Sequence, residues 1–239
     1  TGNNWFCNIN GSPWDDVNYR FSPPYELHGW RSVFGHSIPE IRSLNDGVWP
    51  REFQNPNWYT RSGKIGRWDP YDWEDPLSAN NEFRRGDFFS LKDLDLNRDD
   101  VLSAIITVYK YWIALSDCDG FRIDTVKHVP IEASRKFCNA IREYAEAIGK
   151  ENFLLLGEVA GGEGMKRNYL EIFGANLDAV LDIGSPSGNL KNFAKGFADP
   201  EIFFSQFDGH DILGTHRQIG RYHVSILDDH DMIGRKKER

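Results

Sequence analysis

Five ionisable side chains fall within ten residues of this chain, in the stretch DGFRIDTVKH at positions 119–128. Alternate residues of a strand share a face, so Arg122 and Asp124 are predicted on one face and Phe121 and Ile123 on the other. A guanidinium beside Asp124 would keep that carboxyl ionised, which is the state that a nucleophile needs. The same two side chains could instead form a structural ion pair, and this stretch alone does not separate the two interpretations.

A carboxyl also ends the next predicted strand, NFLLLGE, at Glu158. Four apolar residues precede it, so desolvation should favour its protonated form. An ionised Asp124 and a protonated Glu158 would together supply a nucleophile and an acid. A further predicted strand, RYHVSILDDHD, adds His230 and Asp231 at its end. Charge at the ends of three strands favours a functional site over a structural ion pair.

The elements that must position these groups follow from the pattern of apolar residues. From Asp99 onward, helical periodicity alternates with short apolar strands, which is typical of an α/β protein with a parallel sheet. The stretch IEASRKFCNAIREYAEAIGK predicts a helix with Gly149 as its stop. Residues 1–98 are instead rich in Gly, Pro, Asn and Trp, and they predict ordered loops. We therefore expect a loop-rich part at 1–98 and a βα part at 99–239.

The charge and composition of the chain argue against two classes of partner. A net charge of −8 does not suit nucleic acid or an anionic membrane surface. No apolar run approaches the roughly 20 residues that a membrane-spanning helix needs. The cysteines show neither metal-site nor disulfide spacing. A chain that begins at Thr1 is expected to be cut or processed, so the compartment stays open.

Four motifs resemble the conserved regions of one enzyme family, the α-amylase family of retaining glycoside hydrolases. The second conserved region of that family resembles DGFRIDTVKHV, the third LLLGEV, the fourth LDDHD and the short fifth SLKDLDLN. The motifs occur in the family's order between residues 90 and 231. The resemblance implies a partial TIM (β/α)8 barrel, about strands 4 to 7 with their helices, after a loop-rich excursion of the domain B type.

The resemblance also implies roles for three carboxylates. Asp124 matches the nucleophile that forms a covalent glycosyl-enzyme intermediate. Glu158 matches the acid that protonates the leaving oxygen and then serves as base for water. Asp231 matches the carboxylate that binds sugar hydroxyls and stabilises the oxocarbenium-like transition state. In a retaining enzyme, the carboxyls of Asp124 and Glu158 should lie about 5–5.5 Å apart.

Other positions match residues that bind the substrate or a metal in this family. Arg122 would orient and ionise Asp124, and His230 would hydrogen-bond the sugar that is cleaved. Lys127 and His128 would contact the leaving-group side. Asp93 matches a position that often binds a structural calcium together with the backbone carbonyl at His128, so Ca²⁺ is the one cofactor that the resemblance suggests.

Tryptophan residues are a further feature suited to sugar binding. Most Trp side chains serve packing, so one or two at most are expected to stack on glucose rings. The candidates before residue 99 are Trp5, Trp14, Trp30, Trp49, Trp58, Trp68 and Trp73.

The chain departs from the family pattern at several points. The first conserved region, a strand that ends in Asn-His, is not found, and the chain stops just after LDDHD. Half a barrel exposes two edge strands, so the fragment is expected to be inactive alone and to associate with itself or with another chain. Asp229 and Ala160 stand where Asn and an aromatic residue are usual, which could alter substrate preference.

The favoured function is the hydrolysis of α-glucosidic bonds in starch-like α-glucans, and two alternatives stay open. A transglycosidase or an α-glucoside isomerase of the same family would share these residues and differ in how water is excluded. A non-catalytic barrel scaffold is the alternative from another class, because one fold can host unrelated functions. The presence of all three carboxylates argues against that scaffold.

Overall fold

The computed structural model of the chain divides into two compact units, Thr1–Ile105 and Ile106–Arg239. The predicted division at residues 98 and 99 stays a prediction. The structure describes residues 5–6, 30–31, 37–38, 50–60, 62, 65–88, 92–170, 176–183, 185–205 and 222–226.

The described elements that lie wholly within the first unit are short, in keeping with its content of Gly, Pro and Asn. An antiparallel sheet is formed by β1 (Trp5–Phe6), β2 (Trp30–Arg31) and β3 (Ser37–Ile38), in that order. There follow two 3-10 helices, Arg51–Gln54 and Pro56–Trp58, and the helix α1 (Glu82–Arg85).

Aromatic residues and a buried ion pair stabilise the first unit. The ring of Phe53 meets that of Trp58 edge-on at 5.3 Å, and its carbonyl accepts a hydrogen bond from the buried Tyr59 hydroxyl at 2.7 Å. The Nζ of Lys92 lies 2.7 Å from Oδ2 of Asp87, with side chains 6% and 1% exposed. The other Asp87 oxygen accepts the main-chain N–H of Asp93 at 3.1 Å. Both oxygens of this buried carboxylate therefore have partners.

The second unit contains a sheet of four parallel strands with helices between them. The strands lie in the order β4 (Gly120–Ile123), β5 (Leu154–Gly157), β6 (Ala179–Asp182) and β7 (His223–Ser225). The helices are α2 (Asp99–Ser116, which begins in the first unit), α3 (Ile131–Ala147), α4 (Gly162–Arg167), α5 (Ser185–Ala194) and α6 (Pro200–Phe204). The predicted parallel βα arrangement is confirmed.

Local sequence signals explain where the long helices begin and end. Helix α2 begins with two acidic residues, which suit the positive end of the helix dipole. Helix α3 follows Pro130, and the chain leaves it at Gly149, where φ is +87°. This positive φ is the left-handed conformation that glycine adopts at low cost, so Gly149 is the predicted stop.

Four aromatic rings hold the helices against the sheet. The ring of Phe121 on β4 meets Tyr109 of α2 at 5.2 Å and Phe153 at 5.2 Å, and Tyr109 meets Phe137 of α3 at 5.3 Å. All three pairs are edge-to-face, the geometry that aromatic quadrupoles favour. Phe121 therefore packs on the helix side of the sheet, which leaves Arg122 on the opposite face, as alternation predicts.

Gly120 permits the close approach of β4 to β5. A Cβ at this position would lie 2.6 Å from the carbonyl oxygen of Leu154, its partner in the ladder. No side chain fits there unless the backbone of β5 moves. The glycine in DGFRID thus preserves the alignment of the two strands whose ends carry the charged residues.

Candidate active site

The two carboxylates at the ends of β4 and β5 lie side by side because the ladder continues past the strands. Register pairs Ile123 with Gly157, and the next residues along are Asp124 and Glu158. The main-chain N–H of Glu158 donates to the Ile123 carbonyl at 2.9 Å, and the N–H of Val126 donates to the Glu158 carbonyl at 3.0 Å. These bonds fix both carboxylates at the same edge of the sheet.

Arg122 bridges the two carboxylates. Its Nη1 pairs with Oδ1 of Asp124, and its Nη2 lies 3.1 Å from Oε2 of Glu158. The pair with Asp124 follows the prediction from alternation, whereas the contact with Glu158 was not anticipated. Because the guanidinium is planar with several donors in fixed directions, it orients both acidic side chains at once.

Thr125 supplies a second contact that the sequence did not suggest. Its φ is +49°, a left-handed conformation that is rare for a β-branched residue. In this conformation its main-chain N–H donates to Oε2 of Glu158 at 3.1 Å. No sequence signal indicates this left-handed conformation at Thr125, because the residues that usually adopt it are Gly and Asn.

The environments of the two carboxylates differ in the way that acid and nucleophile roles require. The side chain of Asp124 is 65% exposed, whereas that of Glu158 is 16% exposed. Burial and a hydrogen bond with Asp124 raise the pKa of Glu158, while the Thr125 N–H and the charge of Arg122 lower it by less. Desolvation therefore favours the protonated acid at Glu158, in the direction predicted from its apolar strand.

The dependence of this pKa on Asp124 can be measured. We expect the Asp124→Ala variant to lower the pKa of Glu158, because the hydrogen bond and the negative charge that favour its protonated form are both removed. Carboxyl ¹³C NMR titration of glutamate-labelled protein reports this pKa. Asp119→Asn is the control, since Asp119 pairs with Lys150 at the other end of β4. An unchanged Glu158 titration in Asp124→Ala would contradict the coupling.

The other predicted substrate-binding residues are only partly described. Lys127 and His128 lie in a 3-10 turn, Val126–His128, that directly follows Thr125. The Tyr169 hydroxyl, which is buried, hydrogen-bonds the Lys127 carbonyl at 3.1 Å and so ties this turn to the body of the unit. Contacts of Lys127 and His128 with the leaving-group side stay a prediction. His230 and Asp231 lie outside the described residues.

Asp93, the predicted calcium ligand, lies in the first unit. Its Oδ2 is buried and has no hydrogen-bond partner among the described residues. Burial, reinforced by the charge of Asp87, raises the pKa of Asp93 well above its usual value. A cation would compensate such a carboxylate, so this residue fits the ligand type that Ca²⁺ prefers. Within the described part of the chain, no three His, Cys, Asp or Glu side chains are grouped to hold a metal ion.

The described helices include no candidate for a membrane-spanning segment. None of them combines the length and the apolar character that crossing a bilayer would require. The main features of the second unit are its parallel sheet and the acidic residues that follow β4 and β5.

Comparison with known proteins identifies the family to which the chain is similar. A family model described as the alpha-amylase catalytic domain matches residues 32–207. The chain is 28% identical over 237 residues to an alpha-amylase of Streptomyces lividans, covering 93% of this chain and 23% of that protein. It is 26% identical over 149 residues to a cyclomaltodextrin glucanotransferase of Klebsiella oxytoca, covering 58% of this chain and 21% of that protein.

Solved structures support the same assignment. An alpha-amylase of Anoxybacillus matches with 26% identity and a TM-score of 0.53, over 77% of this chain and 37% of that chain. An alpha-amylase of Geobacillus thermoleovorans matches in fold, with 24% identity and a TM-score of 0.54, over 77% of this chain and 38% of that chain. These matches confirm the predicted partial TIM (β/α)8 barrel. With a family model that covers well over half of its residues, the chain belongs to the alpha-amylase family, as part of its catalytic domain.

Proposed function

We propose that the enzyme carrying this chain hydrolyses α-glucosidic bonds in starch-like α-glucans with retention of configuration. The observation that carries the proposal is the pair of adjacent carboxylates, Asp124 and Glu158, bridged by Arg122. One of them is open to solvent and the other is desolvated, which suits a nucleophile beside an acid. The relatives named as alpha-amylases support the choice of α-glucan as substrate.

The proposed reaction has two displacements. In the first, the Asp124 carboxylate attacks the anomeric carbon and the bond to the leaving oxygen breaks, while Glu158 donates its proton to that oxygen. In the second, Glu158 takes a proton from water, and the oxygen of this water attacks the anomeric carbon and releases Asp124. Asp231 would stabilise the positive charge on the sugar, with His230, Lys127 and His128 as substrate contacts.

Transglycosylation is the second candidate function. The resemblance to a cyclomaltodextrin glucanotransferase favours it, and the same two carboxylates would serve it. The glycosyl-enzyme intermediate would then be attacked by a sugar hydroxyl instead of water. The two candidate functions differ only in the molecule that attacks the glycosyl-enzyme intermediate. Both therefore share the assignment of Asp124 as nucleophile and Glu158 as acid.

Stereochemistry tests the proposal directly. Maltoheptaose treated with the enzyme that carries this chain should release the α-anomer first, as ¹H NMR of the anomeric protons can record. Products longer than maltoheptaose would identify transglycosylation. Initial release of the β-anomer would contradict a double displacement at Asp124. Absence of any cleavage would contradict the proposal that α-glucans are the substrate.

Association of the isolated chain is also part of the proposal. Helix α2 carries exposed apolar side chains at Tyr111, Trp112 and Leu115, and β4 lies at one end of the sheet order. Unpaired strand edges and exposed apolar patches favour contact with a second copy. Size-exclusion chromatography with light scattering should find dimers or larger species, and a monomer at high concentration would contradict this.

A structural calcium at Asp93 is proposed because this carboxylate is buried and its Oδ2 makes no hydrogen bond within 3.5 Å to another described residue. When bound, the ion would neutralise a carboxylate that the protein otherwise desolvates.

A further inference from the structure

Two exposed aromatic rings are stacked on a loop of the first unit. The rings of Tyr71 and Trp73 lie 5.4 Å apart between centroids, with 21° between their planes. Tyr71 is 52% exposed and Trp73 is 78% exposed. One face of the indole is therefore supported by a neighbouring ring, while most of its surface remains open to solvent.

A cation and a carboxylate contact this stack and hold it in place. The Arg67 guanidinium lies 4.2 Å from the centre of the Tyr71 ring, a cation–π contact. Its Nη2 pairs with Oε1 of Glu74 at 2.8 Å, and Oε2 of Glu74 accepts the main-chain N–H of Tyr71 at 3.1 Å. The Tyr71 side chain is thus held both at its main chain, by Glu74, and at its ring, by Arg67.

The stack is also anchored to the interior of the unit. Glu82 is a buried carboxylate on α1. Its Oε1 accepts the main-chain N–H groups of Gly66 and, at 3.0 Å, of Arg67. An unbroken series of contacts therefore runs from a buried side chain through Arg67 to the exposed rings. Because the side chains are already ordered, a ligand would lose little of its binding free energy to ordering them.

The chemistry of this surface suits a sugar better than an anion or an apolar ligand. The face of an aromatic ring carries partial negative charge, which attracts the polarised C–H groups on one face of a pyranose. Asp72, between the two rings in sequence, is exposed, and Asp75 follows nearby. Carboxylates accept hydrogen bonds from hydroxyl groups and repel phosphates or acidic peptides. A neutral, polyhydroxylated ligand with one apolar face fits these features.

We propose that Tyr71 and Trp73 form a binding platform for glucose units of an α-glucan, with Trp73 as the stacking residue. The sugar class rests on the proposed function, whereas the platform itself rests on the ring geometry and its anchoring. Trp68 packs edge-on against Phe88 at 5.1 Å, so it serves internal packing. Of the Trp candidates in the sequence, Trp73 is the one that the described geometry favours for contact with sugar.

Native affinity electrophoresis in gels containing soluble starch tests the platform. All proteins carry Glu158→Gln, so that the polysaccharide in the gel is not degraded. We expect Trp73→Ala to weaken the retardation of the chain by starch by about tenfold in apparent Kd, as loss of one stacking contact implies. Trp112→Ala is the matched control, because Trp112 is also exposed but meets its described aromatic neighbour, Tyr111, edge-on at 71°. Tyr71→Phe keeps the ring and should retain binding.

Four results of this experiment would overturn the platform. Equal retardation of Trp73→Ala and the parent would overturn the platform, and so would an equal loss in Trp112→Ala. Absence of retardation of the parent by starch would overturn it as well, as would retardation by hydroxyethylcellulose alone, a β-linked glucan. Unchanged melting temperatures confirm that the variants fold. The anomeric NMR assay reports on the hydrolytic function separately, so failure of the platform and failure of the function are distinguishable.

Discussion

Asp124→Asn and Glu158→Gln should each lower the turnover of α-glucan by at least about a thousandfold in the enzyme that carries this chain. Asn at position 124 cannot attack the anomeric carbon, so no glycosyl-enzyme forms. Gln at position 158 has no acidic proton to give to the leaving oxygen. Initial rates of release of reducing ends from maltoheptaose measure both effects.

The two variants should respond differently to substrates that bypass the acid. α-Glucosyl fluoride has a leaving group that needs no proton, and azide is a nucleophile that needs no base. Supplied together, they should restore much of the rate in Glu158→Gln and none in Asp124→Asn. Rescue of Asp124→Asn alone, or a near-normal rate in either variant with maltoheptaose, would mean that the roles are misassigned.

An exposed carboxylate provides the matched control for these substitutions. Glu132 lies at the start of α3 and pairs with Arg135 on the surface. Glu132→Gln makes the same chemical change as Glu158→Gln but outside the candidate site. We expect its turnover to stay within about twofold of the parent, since exposed substitutions of this kind have small effects.

Lys92→Met should destabilise the first unit by about 3–5 kcal/mol. The variant leaves the charge of Asp87 buried, because its side chain is 1% exposed, and removes the ammonium 2.7 Å away. Urea denaturation followed by Trp fluorescence measures the change in the free energy of unfolding.

A solvent-exposed ion pair serves as the comparison. Arg98 pairs with Asp100 at 2.8 Å, with both side chains exposed. Water screens such a pair, so Arg98→Met should leave the free energy of unfolding almost unchanged. The double variant Lys92→Met, Asp87→Leu should recover part of the stability lost in Lys92→Met, because it removes the uncompensated charge. A loss in Lys92→Met no larger than in Arg98→Met would contradict the buried pair.

Most of the fold of the second unit was predicted from local patterns of apolar residues in the sequence. Alternation of helical and strand patterns after Asp99 predicted the parallel sheet, and Gly149 predicted the end of α3.

The two carboxylates at the strand ends could be predicted from the sequence, but the contacts that hold Glu158 could not. A carboxylate directly after an apolar strand is visible in a local window of sequence, which is why Asp124 and Glu158 could be chosen. The N–H of Thr125 reaches Glu158 across 33 positions, and Arg122 reaches it across the sheet. Such contacts depend on the register between two strands, which local periodicity does not specify.

By itself, the sequence determined the order of helices and strands in the second unit and the residues at the ends of β4 and β5, because both follow from periodicities of a few residues. Tertiary structure alone decided that Arg122 joins two carboxylates, that Lys92 neutralises Asp87 inside the first unit, and that Trp73 stacks on Tyr71. Each of these contacts requires side chains to meet in a particular orientation, and packing of the whole unit selects that orientation from many that the local sequence would allow.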